Sequence, residues 1–289
     1  MTDMRYEAPE TLDAAVALLG DATGNGKVMA GGTDVLVQLH AEIIEPEVLV
    51  DIKNIPDLKA MSQSEAGWLV GAAVSGMTIV DNADFAAAWP GVCEGVALIG
   101  SVQVKGRASI GGNLCNASPA ADSVPAIIAA GAVAKIIGPS GMREEPVENI
   151  VMGPGQTSLA DGEFIVSFSF PPRAPHSGDC YLRLTPRTEM DIAVVGAGVS
   201  LTLDDDGTCN AARISIGAVA PRPLLVTEAA NALIGTKVDD TALEHMVAAV
   251  RAACDPISDK RGTREYRIKT AGVIARRAAS KALERAKAN

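Results

Sequence analysis

Behind Thr11, residues Leu12, Ala15, Val16 and Leu19 recur at intervals of three and four. That spacing gives a helix one apolar face, and the Thr11 hydroxyl suits its N-cap. In KVMAGGTDVLVQLH a short apolar strand is followed by two glycines and a second helix, and EVLVDIKNIPDL then reads as another strand. The opening of the chain therefore predicts helix, strand, glycine loop, helix, strand. From WLVGAAVSGMTI to FIVSFSFPPR, short apolar strands mix with Ala-rich helices. Residues 170–179, FPPRAPHSGD, are rich in proline and polar side chains and are expected to form an exposed connection between domains. Beyond them, two apolar runs flank DDDG, a hairpin signal. Apolar residues at three- and four-residue intervals in TEAANALIG, DTALEHMVAAV and REYRIKTAGVIARRAASKALERAKA then predict helices, so the C-terminal region is sheet plus helices.

A chain of 289 residues is long enough for two or three compact units. Lys and Arg total 25 against 35 Asp and Glu, and aromatics make up 3%, which argues against a phosphate-tracking surface or base-stacking platforms, hence against nucleic acid. The five cysteines, Cys93, Cys115, Cys180, Cys209 and Cys254, are scattered without a C-x-x-C pair, so neither a metal site nor an iron-sulfur cluster is expected. The start, MTDMRYEAPE, has no basic segment followed by an apolar one, and the longest apolar stretch, VPAIIAAGAVAKIIG, is short and contains Lys135. A cytoplasmic location with free thiols and no transmembrane segment is the expectation.

Two glycine loops carry the candidate chemistry. Val28, Met29 and Ala30 lead into Gly31 and Gly32, with Thr33, Asp34 and Val35 at the start of the next helix. Bare backbone at two successive positions lets main-chain N–H groups approach a pyrophosphate. The loop fits neither the G-x-x-x-x-G-K-[ST] pattern nor the G-x-G-x-x-G dinucleotide fingerprint. Gly111 and Gly112, between Ser109 and Asn113, repeat the device, and two such loops could clamp one diphosphate. Cys115 could line a cofactor or be a small buried hydrophobe. His40, His176 and His245 fall outside both loops and read as surface or capping residues. The glycines and prolines of GPSGMREEPVENIVMGPGQTSL are expected to shape a surface loop rather than a third cofactor contact. From Asp259 onward ten Lys or Arg face three Asp or Glu, which suits a solvated basic helix or a docking surface for a partner.

AGGTDVLVQL and SIGGNLCNASPAADSVPA resemble the two flavin-binding signatures of the medium, FAD-binding subunit of the molybdenum hydroxylases, the group of bacterial xanthine dehydrogenases and aerobic carbon monoxide dehydrogenase. LVDIKNIPDL, YLRLTPRTEMDIAVVGAGVSL, IGAVAPRPL and EYRIKTAGVIARRA extend the resemblance over nearly the whole chain. It implies an α+β protein with a two-subdomain FAD-binding domain of the vanillyl-alcohol oxidase (PCMH) type over 1–172, divided into about 1–58 and 59–172, and a smaller α+β C-terminal domain over 173–289. It also implies noncovalent FAD held by the Val28–Val35 segment and by Ser109, Gly111, Gly112, Asn113 and Cys115. Asp122 is implied as an acid bonding the cofactor. Ile165 and Arg183 would be an apolar contact and a cation beside the isoalloxazine.

The function implied is electron transfer. Electrons from a large molybdenum-cofactor subunit would pass through the [2Fe-2S] clusters of a small subunit to this FAD and on to NAD+ or a quinone, in a dimer of heterotrimers. No catalytic or metal-ligating residue is then expected here. Two other readings stay open at this point: a self-sufficient flavin oxidase or reductase of the same fold, and a nucleotide-binding or assembly module without redox chemistry.

Overall fold

The computed structural model describes residues 4–22 and 24–289. Residues 1–3 and 23 lie outside them. Strands β1 (Arg5–Glu7), β2 (Gly26–Met29) and β3 (Val48–Asp51) form a parallel sheet in the order β1-β3-β2, with helices α1 (Leu12–Asp21) and α2 (Val35–His40) between them in sequence. The Thr11 hydroxyl accepts from the Ala14 N–H at 3.2 Å and so starts α1. The central strand β3 is buried throughout because both faces are covered. Val48 and Val50 pack with Ala15 and Leu19 of α1, while Leu49 points the other way and packs with Met29 and Val35.

The next sheet has the order β4-β5-β10-β6-β7 and is antiparallel, built from β4 (Met61–Ser64), β5 (Gly67–Gly71), β6 (Val133–Gly138), β7 (Gly141–Pro146) and β10 (Phe164–Phe170). A small hairpin, β8 (Val151–Gly153) and β9 (Gln156–Thr157), precedes β10. Between β5 and β6 come α3 (Gly76–Asp81), α4 (Ala83–Ala88), α5 (Pro90–Ala97), α6 (Val102–Lys105), α7 (Ile110–Cys115) and α8 (Ser123–Ala129). Phe85 stands edge-on to both Trp68 and Phe170, with centroids 5.2 and 5.3 Å away, and anchors the core beneath these helices.

The third sheet is an antiparallel meander of β11 (Ser177–Leu184), β12 (Val195–Leu203), β13 (Cys209–Gly217) and β14 (Leu224–Leu225), followed by α9 (Thr227–Asn231), α10 (Asp240–Ala253) and α11 (Arg264–Ala288). The hairpin expected around DDDG joins β12 to β13. Period-two alternation gives β12 two different faces. Val195, Ala197, Val199 and Leu201 belong to the helix-covered core, whereas a Cβ at Gly198 would sit 2.4 Å from the Pro125 carbonyl oxygen. The third sheet thus packs directly on α8, every residue of which is buried.

The expected exposed connection at 170–179 is only partly exposed. Phe170, Ser177 and Asp179 are buried, and Arg173 reaches back to Asp179 at 3.0 Å while its guanidinium lies 4.3 Å from the Trp89 ring centre. Asp179 also accepts from the Gly91 N–H at 2.9 Å, so one carboxylate joins α5 to β11. The C-terminal basic helix is likewise more internal than a solvated face. Arg267 is buried and donates to the carbonyls of Val194 and Ala218. Lys281 and Arg285 both bond Glu94 of α5, at 2.7 and 2.6 Å.

Small side chains let α11 lie close to the sheet: Ala271, Ala275, Ala278, Ala279, Ala282 and Ala286 are all buried. At Gly178 an added Cβ would lie 2.0 Å from the Ala282 carbonyl oxygen and 2.5 Å from the Ala286 nitrogen. Gly178→Ala must push helix and strand apart and should lower stability by about 2–3 kcal/mol in urea unfolding. A midpoint within experimental scatter of the parent chain would contradict this packing.

Candidate functional site: a cleft between two glycine loops

A cavity of about 530 Å³ opens where the segment after β2 meets the start of α7. It is lined by Val28, Ala30, Gly31, Gly32, Thr33, Asp34 and Val35 from one side and by Ser109, Gly111, Gly112, Asn113 and Cys115 from the other, with Ile165 of β10 also on its wall. The N–H groups of Gly31, Gly32, Thr33 and Asp34 find no protein acceptor among the described residues. Consecutive unpartnered donors beside a cavity form a cradle for an anion.

The four glycines have different reasons for being glycine. A Cβ at Gly31 would lie 1.9 Å from the Arg107 carbonyl oxygen, and one at Gly111 would lie 2.5 Å from that of Ala72. Both positions are close approaches of protein to protein. Gly32 has φ +80°, a left-handed conformation that costs other residues strain. Gly112 alone has room, since a Cβ there would meet only the Ser109 Oγ, at 3.4 Å. Its missing side chain leaves space in the cavity. The same Ser109 Oγ caps α7 by accepting from the Gly112 N–H at 3.1 Å.

Side chains connect the two halves of the cleft. Asn116 accepts from Gln38 of α2 at 3.1 Å and donates to Asp34 at 3.2 Å. Burial pushes the Asp34 carboxyl above its ordinary range. Upstream, Lys53 donates to the Ala30 carbonyl at 2.9 Å and pairs with Asp51, which also accepts from Tyr6 at 2.6 Å. Burial raises the Asp51 carboxyl, but the bonds from Lys53 and Tyr6 outweigh it and hold it below the usual carboxylate range. The entry to the first loop is therefore fixed by a charged anchor. Asn113 accepts from Ser123 at 2.7 Å, which ties α7 to α8.

Several wall residues carry no local sequence signal: Lys27, Gln38, Ile43, Ile99 and Asn116 all line the cavity. Gly155, Thr157 and the 159–164 segment line it too, so the stretch read as a surface loop borders the site after all. Glu163 holds that segment in place by two 2.8 Å bonds from Arg143 and one from the Ala160 N–H. The Arg143 bonds keep its carboxyl below the normal range.

Met29, Asp122 and Arg183 are not on the wall. Met29 is buried with Val35 and Leu49 behind the loop. Asp122 and Arg183 form a buried pair at 2.5 Å, and Tyr181 donates to Asp122 at 2.8 Å. Burial raises the Asp122 carboxyl to about 6 against the opposing pull of Arg183 and Tyr181. Arg183 also donates to the Leu98 carbonyl at 3.3 Å, next to the wall residue Ile99. The pair thus supports the cavity from one residue away. His40, His176 and His245 line no part of it, and among the described residues no cluster of His, Cys, Asp and Glu could hold a metal ion.

Residues 2–173 match the family model for the FAD binding domain in molybdopterin dehydrogenase, and residues 181–282 match that for the CO dehydrogenase flavoprotein C-terminal domain. The chain is 33% identical over 282 residues to the carbon monoxide dehydrogenase medium chain of Afipia carboxidovorans, covering 98% of this chain and 97% of that protein. It is 30% identical to the xanthine dehydrogenase FAD-binding subunit of Escherichia coli O157:H7, covering 96% and 95%. The structure superposes on a chain of reconstituted CO dehydrogenase from Oligotropha carboxidovorans with a TM-score of 0.93, at 32% identity and 98% coverage of both.

Cys115 is open to the cavity, whereas Cys93, Cys180, Cys209 and Cys254 are buried. The protein around the Cys115 sulfur raises its thiol above the ordinary range, so it faces the cleft protonated. A maleimide should label the native chain slowly and at Cys115 alone, and a ligand filling the cleft should protect it. Mass spectrometry of the labelled peptides checks this, and rapid labelling at several cysteines of folded protein would contradict it.

Proposed function

The chain belongs to the FAD-binding family of the molybdopterin dehydrogenases, and from that membership we propose that it is the flavin-bearing electron carrier of a complex whose substrate chemistry lies on other subunits. It is a medium subunit of the molybdenum hydroxylase type, an oxidoreductase component that binds FAD. The observation that carries the reading is the cleft itself: a run of main-chain donors unpartnered among the described residues, facing a second glycine loop, with apolar side chains such as Ile99 and Ile165 on the wall. These features suit a diphosphate joined to flat ring systems.

In this reading the N–H groups of Gly31 to Asp34 would hold the diphosphate, and the space left at Gly112 would admit it. Asn116, bridging Gln38 and Asp34, would close the cleft across it. Ile99 and Ile165 would exclude water from the rings. Arg183, paired with Asp122, would act as a positioning residue through the Leu98 carbonyl. Bound FAD supplies the ability to take electrons singly and release them in pairs.

The electrons would come from a large molybdenum-binding subunit by way of a small [2Fe-2S] subunit and leave to NAD+, a quinone or another acceptor. A dimer of heterotrimers would accommodate all three chains. Within this chain the FAD-binding domain would span 1–172, with its internal boundary near 58, and the C-terminal domain 173–289.

Acid precipitation should release the flavin into the supernatant; yellow colour staying with the polypeptide would refute noncovalent binding. Gly112→Val should keep the parent melting temperature yet lose flavin affinity by roughly tenfold or more, the equivalent of about 1.4 kcal/mol. Gly31→Ala should instead lose stability with or without flavin. Equal flavin occupancy in a folded Gly112→Val chain would remove the cleft assignment.

The flavin-loaded chain, reduced chemically, should pass electrons to an artificial acceptor but remain oxidised when given xanthine, nicotinate, aldehydes or carbon monoxide alone. Anaerobic bleaching of the flavin by one of these in the isolated chain would establish a self-sufficient enzyme instead.

A further inference from the structure

A second cavity, of about 350 Å³, lies on another side of the segments that build the cofactor cleft. Lys53, Lys59 and Arg107 line it together with Asn54, Ser75 and Thr78, and no carboxylate does. In a chain with 35 acidic and 25 basic side chains, such a concavity is a local reversal of the overall charge. Lys53 is neutralised by Asp51. Lys59 and Arg107 form no ion pair among the described residues, and both are exposed, so two cationic heads are free to meet a ligand.

We propose that this cleft binds an anion of the phosphate class, free or carried on a nucleotide. A guanidinium can fork two phosphate oxygens, an ammonium supplies a second charge, and the Asn54 carboxamide and the free proton of the Ser75–Thr78 hydroxyl pair, bonded to each other at 2.9 Å, can donate to the remaining oxygens. The absence of a lining carboxylate leaves the cations' field at the ligand uncancelled. The volume exceeds what orthophosphate needs and leaves room for an organic group. The cleft also adjoins the cofactor loops through two residues. The Arg107 side chain lines it while the Arg107 carbonyl packs on Gly31, and Lys53 lines it while its Nζ holds the Ala30 carbonyl.

The test uses the full chain loaded with FAD, so that a nucleotide cannot enter the cofactor cleft. Inorganic phosphate and ADP are titrated separately by calorimetry in low-chloride buffer, with the parent chain and with the Lys59→Gln, Arg107→Gln double variant. Saturable one-site binding of at least one of them, weakened roughly tenfold or more in the variant, is the expected result. Equal affinities would identify free phosphate as sufficient, and tighter ADP binding would identify the nucleotide as the carrier. Absence of saturable binding by both probes, or affinities within about twofold between parent and variant, would overturn the proposal. Flavin absorbance and melting temperature of the same samples report the cofactor reading and the fold separately.

Discussion

The cleft depends on one contact between main chains. Gly31 and the Arg107 carbonyl approach so closely that a single methyl group would overlap the oxygen, at 1.9 Å. Without that approach the first loop could not stand against the second, and the donors from Gly31 to Asp34 would face open solvent instead of a wall. Everything else at the site refines this juxtaposition. Lys53 fixes the loop entry through Ala30, Ser109 fixes the start of α7, and Asn116 spans the opening.

A site made chiefly of backbone has a chemical consequence. Main-chain dipoles hold charge without themselves titrating, so they can grip a dianion across a wide pH range and leave its redox chemistry alone. The titratable groups nearby are mostly restrained in other ways. Cys115 is kept as a thiol, Glu163 is committed to Arg143, and Arg183 is balanced by Asp122. The cation expected beside the flavin is therefore one half of a neutral pair. Its influence on the cleft is mechanical as well as electrostatic, through the carbonyl of Leu98.

What could be read from the sequence was local. A glycine pair between an apolar strand and a helix is a contiguous signal, and so are Thr11 before its helix and DDDG between two strands; each depends on neighbours a few residues away. Ile99, Gln38, Asn116 and Lys27 gave no such signal, because their place on the wall follows from how distant segments pack. The 138–159 stretch, expected to be a surface loop, borders the cavity for the same reason. Its glycines and prolines do make turns, but Arg143 and β10 bring those turns to the cavity. Resemblance to a family put Asp122 and Arg183 near the cofactor, yet only the coordinates show them paired with each other. FPPRAPHSGD has the composition of a linker, and its burial depends on Trp89 and Gly91, far back in the chain.

The seam between α5 and α11 bears on how the molecule is made. Glu94 finds its partners at Lys281 and Arg285, and Gly178 rests on the helix turn around Ala282. Those partners lie 187 and 191 residues further along the chain. During translation Glu94 therefore waits with its carboxylate unmatched and β11 with one face uncovered, while both glycine loops have been made once α7 has emerged and the rest of their wall follows by β10. The wall of the cleft, down to Ile165, is made before α11, so removal of α11 would strip the support from a finished site.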